Sequence, residues 1–473
     1  MRMRHNIIRP WNSWPPNRGG PGRRFRRTKN LAALAVTATL ALSGCAGAGS
    51  FTSGGGKTVT IAMVSNSQMQ DAISLSGEFE RANPGIKLKF VSLSENEARA
   101  KITSSVATGG GEFDVVMISN YETPQWAADG WLTDLSPYQA RTPGYDPQDF
   151  ISSLRSSLSY KGDMYSVPFY GESSFLMYRK DLFQQAGLTM PAQPTWDQVA
   201  QFANKLNDPA HEHSGICLRG DPGWGEALAP LDTVINTFGG RWFDQNWHAQ
   251  LTSPQVEKAW QFYVDLVRKD GEPGAATSGF SECATQLSQG DTAMWYDATS
   301  AVGVLEDPSS SKVVGKIGYV LAPTEVKPNS GWLYTWSLGI PKTSHNADAA
   351  WKFISWMTSK EYIAHVGEKL GWSHVPPGSR YSTYQIPGYA AASKAYGPVT
   401  LQAMSTVDPE HPTVQPVPYT GVQFLAIPEF QDLGTRVSQQ LSAAIAGQES
   451  VQTALEQSQQ YAETVGKSYR GNQ

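Results

Sequence analysis

Trp295 and Asp297 stand two apart in Met294-Trp295-Tyr296-Asp297-Ala298-Thr299. On a strand they share one face, an aromatic surface beside a carboxylate. Glu172 interrupts an apolar run at Tyr170-Gly171-Glu172-Ser173, where a charge is costly unless it is paired or faces a ligand. Arg219 follows a β-prone segment, and its guanidinium fork can donate two hydrogen bonds at once, with Trp224 close by in a Gly-rich turn. Charged hydrogen-bonding groups next to aromatic faces suit a ligand that offers both hydroxyls and C–H surface. Carboxylates near tryptophans also describe glycosidase clefts, whose carboxyl separation a sequence does not give. Each residue has a plainer role open to it: Trp295 in a core, Asp297 closing a turn, Glu172 in an internal ion pair, Arg219 paired with Asp221. No G-x-S-x-G, H-E-x-x-H or P-loop pattern occurs. Two isolated cysteines with His211 and His213 lack the spacing of a zinc site, so neither a metal nor a cofactor is expected.

These side chains are far apart in the chain, so a fold must gather them. Val59, Ile61 and Met63 alternate, residues 68–82 carry a helical pattern, and Ile86, Leu88 and Phe90 alternate again. A second helical stretch follows over 95–107, then the apolar run Val115-Val116-Met117-Ile118. This order predicts βαβ units and a mostly parallel sheet with helices on both faces. Ligands in such sheets sit at loops after strands. The turn after the first strand offers Ser65, Asn66 and Gln68, and the turn after the third offers Asn120, Tyr121 and Glu122; Asn66 and Asn120 could instead cap the helices that follow. Thr195 and Gln198 make a capping box for a helix over 195–206. Ser253-Pro254 opens another helix, with Val256, Ala259, Trp260, Tyr263 and Val267 on one face, and Asn346 opens a third. Packing is the better role for Trp260 and Trp351. A Pro-rich passage over 408–419 precedes C-terminal helices that should end near Tyr461.

The N-terminus fixes the compartment. Nine Lys or Arg residues precede a short apolar run over 31–42, the charged region and apolar core of an export signal, too short to span a bilayer. Leu42-Ser43-Gly44-Cys45 resembles the lipobox of bacterial lipoproteins, which implies cleavage after residue 44 and diacylation of Cys45, two chains being enough for a stable anchor. Arg23-Arg24-Phe25-Arg26-Arg27 also fits a twin-arginine route. Residues 45–56, with Gly54-Gly55-Gly56, read as a flexible tether. Of the 38 basic residues nine lie in the leader, while all 42 acidic ones follow it, so the processed chain carries a formal charge of −13, which argues against nucleic acid. Its length calls for two domains. With Cys45 given to lipid, Cys217 and Cys283 are an even pair in an oxidising compartment: a disulfide, or two buried thiols.

Several segments, in this order, resemble the extracellular solute-binding proteins of ABC importers, the large maltose-binding-protein-like family: Phe79-Glu80-Arg81-Ala82-Asn83-Pro84-Gly85-Ile86, Phe113-Asp114-Val115-Val116, Tyr165-Ser166-Val167-Pro168-Phe169, Met177-Tyr178-Arg179-Lys180-Asp181-Leu182-Phe183, Pro194-Thr195-Trp196-Asp197, Gln289-Gly290-Asp291-Thr292-Ala293-Met294 and Ala350-Trp351-Lys352-Phe353-Ile354. Cys217-Leu218-Arg219-Gly220, Gly223-Trp224-Gly225-Glu226 and the strand around Trp295 look closest to binders of sugar alcohols such as mannitol or sorbitol. The resemblance implies a periplasmic-binding-protein-like α/β fold of two lobes joined by a multi-segment hinge. One lobe would take residues 57–167 and 336–377, the other 168–335 and 378–473. It also implies binding of a small polyhydroxylated solute without catalysis, permease subunits as partners, a monomer, and a membrane contact through the lipid alone, on the extracellular face of the cytoplasmic membrane. Read from strand ends, crossovers and strand faces, the candidate ligand residues are Asn66, Tyr121, Glu122, Tyr170, Glu172, Arg219, Trp224, Trp295 and Asp297, with Trp332 and Trp336 flanking the return crossover and Trp372 and His374 beyond it. A lipid-anchored glycoside hydrolase is the competing class.

Overall fold

The structure, a computed structural model, describes residues 56–329 and 331–471; the leader, Cys45 and most of the tether lie outside them. Ten strands are present among these residues. The first three are β1 (Lys57–Val64), β2 (Ile86–Leu93) and β3 (Val115–Ser119), and a small hairpin follows, formed by β4 (Ser159–Tyr160) and β5 (Asp163–Met164). The remaining five are β6 (Ser166–Glu172), β7 (Ser174–Arg179), β8 (Met294–Ala298), β9 (Ile317–Leu321) and β10 (Tyr334–Gly339).

The first lobe is built on a five-stranded sheet ordered β2-β1-β3-β10-β6. β1 pairs in parallel with β2 and β3, and β10 is antiparallel to both β3 and β6. Helix α1 (Ser67–Ala82) buries Met69, Ala72, Leu75 and Phe79, the spacing that lays one stripe on a sheet, and Asn66 caps it by accepting from the Met69 N–H at 2.9 Å. Helix α2 (Glu95–Ala107) follows β2, opened by the capping box of Ser94 and Glu97.

The second sheet is ordered β8-β7-β9, with β7 antiparallel to both neighbours and Cys217 bridging Trp295 in parallel at the outer edge. Each sheet therefore has one reversed strand, β10 or β7, and each is a strand that arrives from the other lobe. The remaining strands keep the common direction that βαβ alternation predicts.

Strand pairing places the crossings differently from the sequence reading. β6 stays in the first sheet to Glu172, so the first crossing falls at Ser173 and not at Pro168. Tyr334 and Thr335 already pair with Glu172 and Gly171, so the return is complete two residues before Trp336. Arg380 donates to the carbonyls of Tyr145, Asp146 and Thr358, keeping the chain on the first lobe past Pro377. Helix Gly397–Thr406 then packs on β7 and β9.

The capping box of helix Trp196–Leu206 and the buried stripe of helix Pro254–Asp270 form as their sequences predict. Trp260 and Trp351 are core residues. The C-terminal pair Phe430–Ile445 and Val451–Arg470 packs on the second-lobe helices and runs well beyond Tyr461. Cys217 and Cys283 are disulfide-bonded, with Cα atoms 5.5 Å apart, tying the segment before Arg219 to helix Phe280–Gln289. No helix among the described residues is long and apolar enough to cross a membrane.

Candidate functional site

The loops that close the carboxyl ends of β1, β2 and β6 face those of the second lobe across a cleft of about 490 Å³. The first lobe contributes Asn66, Glu95, Asn96, Tyr170, Glu172 and Trp336, and the second contributes Arg219, Asp221, Glu226, Phe280, Glu282 and Ser300. A narrow extension of the cleft is floored by Trp224, Trp332, Tyr334 and Gln423. That volume falls within the roughly 300–1,000 Å³ of small-molecule sites.

Two buried guanidinium groups organise the charge. Arg219 donates from Nε to Asp297 Oδ2 at 2.7 Å and from Nη2 to Oδ1 at 2.5 Å, while its Nη1 reaches the Gly225 carbonyl at 2.8 Å and Glu226 at 3.2 Å. Burial opposes its charge, but Asp297 and Glu226 more than offset it, so the group stays a cation. Arg99, on α2, bonds Glu95 at 2.7 Å and Glu122 at 3.2 Å, and lies over the Trp224 ring at 4.1 Å and the Trp336 ring at 4.8 Å. Glu172 accepts a hydrogen bond from the Ser300 hydroxyl of the other lobe. Burial pushes its carboxyl up to about 8, with Asp297 and Glu95 adding to the shift and Ser300 and Arg219 resisting it. Glu226 is raised as well, by burial first and then by Glu95.

The cleft brings together Asn66, Tyr170, Glu172, Arg219 and Trp336, with Trp224 and Trp332 in its floor. Asn66 does two jobs, capping α1 and donating to the Tyr170 hydroxyl at 2.9 Å.

Seven candidate residues lie elsewhere. Asp297 is fully buried with both oxygens engaged by Arg219, and Trp295 is a core side chain whose Nε1 donates to Asp297 at 3.0 Å and whose ring packs on Phe280. That pair shares a face as predicted, but the face is turned to the lobe interior. Glu122 is buried, receives the Ser119 N–H and pairs with Arg99. Tyr121 packs on Trp224 with ring centres 4.7 Å apart, and its hydroxyl lies between the Ile427 carbonyl and the Gln431 N–H. His374 sits outside the cleft, its Nδ1 2.9 Å from Asp71 on α1 and its Nε2 3.9 Å from Asp307 of the second lobe. Asn120 does not cap the next helix; its oxygen accepts from the Thr335 N–H. Trp372 lies against Gly367 and Gly388.

Sequence reasoning missed Glu95 and Asn96, although they follow β2, and strand ends are where ligands bind. Asp221 and Glu226 lie next to expected residues. Phe280 and Glu282 have no local signal, because they reach the cleft only through the placement of the helix that carries Cys283.

Comparison with known proteins gives a consistent answer. The family model for bacterial extracellular solute-binding proteins matches residues 64–364. The mannitol-binding protein of Pseudomonas aeruginosa is 46% identical over 407 residues, covering 86% of this chain and 92% of that protein. The crystal structure of an ABC transporter solute-binding protein from Agrobacterium vitis S4 with bound D-mannitol is 46% identical, covers 87% of this chain and 99% of that one, and superposes with a TM-score of 0.85. A second, from Agrobacterium radiobacter K84 in complex with ribitol, is 26% identical with a TM-score of 0.76 over 87% of this chain and 99% of that one. The hydrolase alternative falls with these matches, and the two-lobe fold around a charged cleft is that of a binder: the chain belongs to the bacterial extracellular solute-binding proteins, a family that binds its solutes and does not transform them.

Proposed function

We propose that this chain is the lipid-anchored substrate-binding component of an ABC importer, capturing a linear sugar alcohol, or a sugar close to it, between its lobes and delivering it unchanged to the permease subunits. The observation that carries the reading is the composition of the cleft, in which fixed donors and acceptors from both lobes alternate with aromatic faces. An uncharged hexitol has a hydroxyl on every carbon and a C–H edge between them, so it needs that mixture. Hydrogen bonds to charged groups contribute roughly 1.5–3 kcal/mol each, enough for a short ligand held by few contacts. In this reading Arg219, Glu172, Glu95, Asn66 and Asn96 meet hydroxyls, and Trp336, Phe280 and Tyr170 cover C–H surface. Asp297 and Glu122 act one step removed, by holding the two guanidinium groups in place.

The mannitol-bound and mannitol-binding relatives support the polyol class. Closure would be a hinge motion about Ser173, the β9–β10 connection and the segment after Arg380, bringing a shape to the membrane that the permease can read. Cys45 would hold the monomer at the outer face of the membrane. Titration calorimetry of the processed chain against mannitol, sorbitol, ribitol and a maltodextrin tests the class. Micromolar or tighter binding of a hexitol is expected, with the sugar recovered intact. Tight binding of the maltodextrin and none of any polyol or monosaccharide would overturn it.

A further inference from the structure

Five carboxyl groups lie in the cleft wall or directly behind it, Glu95, Glu172 and Glu226 lining it and Glu122 and Asp297 buried behind, and two guanidinium groups face them. Arg99 is shared by Glu95 and Glu122, and Arg219 by Asp297 and Glu226. Glu172 is the fifth and has no cation of its own: its Oε2 accepts only the Ser300 hydroxyl, and the side chain lines the cleft with 6% of its surface exposed. The groups around it come from every neighbouring element. They are Glu95 and Arg99 from α2, Tyr170 from its own strand, Tyr334 and Trp336 from β10, and Arg219 and Asp297 from the second lobe. Asp221, Glu226 and Glu282 add further negative charge on the far wall. A neutral polyol brings no positive charge and displaces water, so closing over it worsens the solvation of an ionised Glu172.

We infer that Glu172 enters the ligand complex as a neutral carboxylic acid, donating a hydrogen bond to a ligand hydroxyl while Ser300 donates to its other oxygen, so that capture is linked to a retained proton. This rests on the proposed polyol class for its ligand but not for its protonation state. The carboxyl raised to about 8 in the folded chain fits the same geometry. Affinity should then be level at acidic and neutral pH and weaken toward tenfold per pH unit in alkali, because the empty cleft must first take up a proton.

Mannitol calorimetry between pH 6 and pH 10 on the wild type and Glu172→Gln tests the linkage, with the slope expected in the wild type and absent from the variant. An affinity that rises with pH, or a wild type with no slope, would overturn the inference. Two ligand-free measurements keep it decidable if no polyol binds. A carboxylic-acid carbonyl band present at pH 7 in the wild type and missing from Glu172→Gln by difference infrared spectroscopy supports it, and absence of the band defeats it. The melting temperature of the wild type should also fall relative to the variant as pH rises from about 4.5 to about 8, since over that window the folded state keeps a proton that the unfolded chain has released. A constant difference over that window counts against the neutral acid.

Discussion

Arg219 and Asp297 illustrate how a side chain can matter to a site without touching its ligand. Both hydrogen-bonding edges of the carboxylate are spent on the guanidinium, and Trp295 and the backbone of Ala298 fill the rest. Removing one partner of a buried pair leaves the other charged and desolvated, at a cost of roughly 3–5 kcal/mol. Asp297→Ala should therefore lower the unfolding free energy by about that much, and ligand affinity should fall with it because Arg219 loses its orientation. Denaturant unfolding beside calorimetry checks this. Lost affinity with unchanged stability would instead make Asp297 a direct ligand contact.

At the scale of elements, the disulfide adds a covalent tie between two pieces of the second lobe that also meet through the Gly220 and Asp221 N–H groups on the Ser278 carbonyl and the Phe280 N–H on Glu226. It joins the segment entering Arg219 to the helix whose first turn brings Phe280 and Glu282 to the cleft. Its sequence separation is 66, for which the chain-entropy model gives a stabilisation of roughly 4 kcal/mol as an upper figure. The double variant Cys217→Ser with Cys283→Ser is expected to melt at lower temperature and to bind polyol more weakly, as Phe280 and Glu282 lose their fixed position. Equal melting temperatures for the oxidised and reduced wild type would remove the staple from the account. Gly220 belongs to the same junction, since a Cβ there would run into the carbonyl of Ala275.

The whole molecule is two sheets threaded by one chain, and the threading places the site. β6 and β7 are consecutive in sequence yet belong to different sheets, so Glu172 at the end of one and Ser300 beyond β8 of the other meet across the cleft. Gln68 on α1 similarly donates to the Ser300 carbonyl at 3.4 Å, and His374 stands between Asp71 and Asp307. These polar links between lobes are the contacts that opening would break. The proposed anchor also acts at this scale, because delivery depends on keeping the body near its permease. Cys45→Ala should release the protein from the membrane fraction or leave it unprocessed, as read by fractionation and lipid labelling. Unchanged labelling would refute Cys45 as the acylated residue.

Much of the fold was legible in the sequence, because it is written locally. The stripe of α1, the capping box at Thr195 and the apolar run of β3 each follow from near-neighbour residue types, and each formed where it was expected. The order of family-like segments led further, to two lobes. Pairing in space was not legible. Trp295 and Asp297 do share a face, but alternation along a strand cannot say which face is turned to the core, and here packing against Phe280 and Arg219 turned theirs inward. Glu122 was expected to meet ligand and instead holds Arg99, a residue that has no marker in its own segment. The sequence by itself determined the elements, the cysteine pair and the kinds of side chain available. Only the tertiary structure decided which carboxylates received a cation and which one was left facing the cleft, because that depends on distances between residues far apart in the chain.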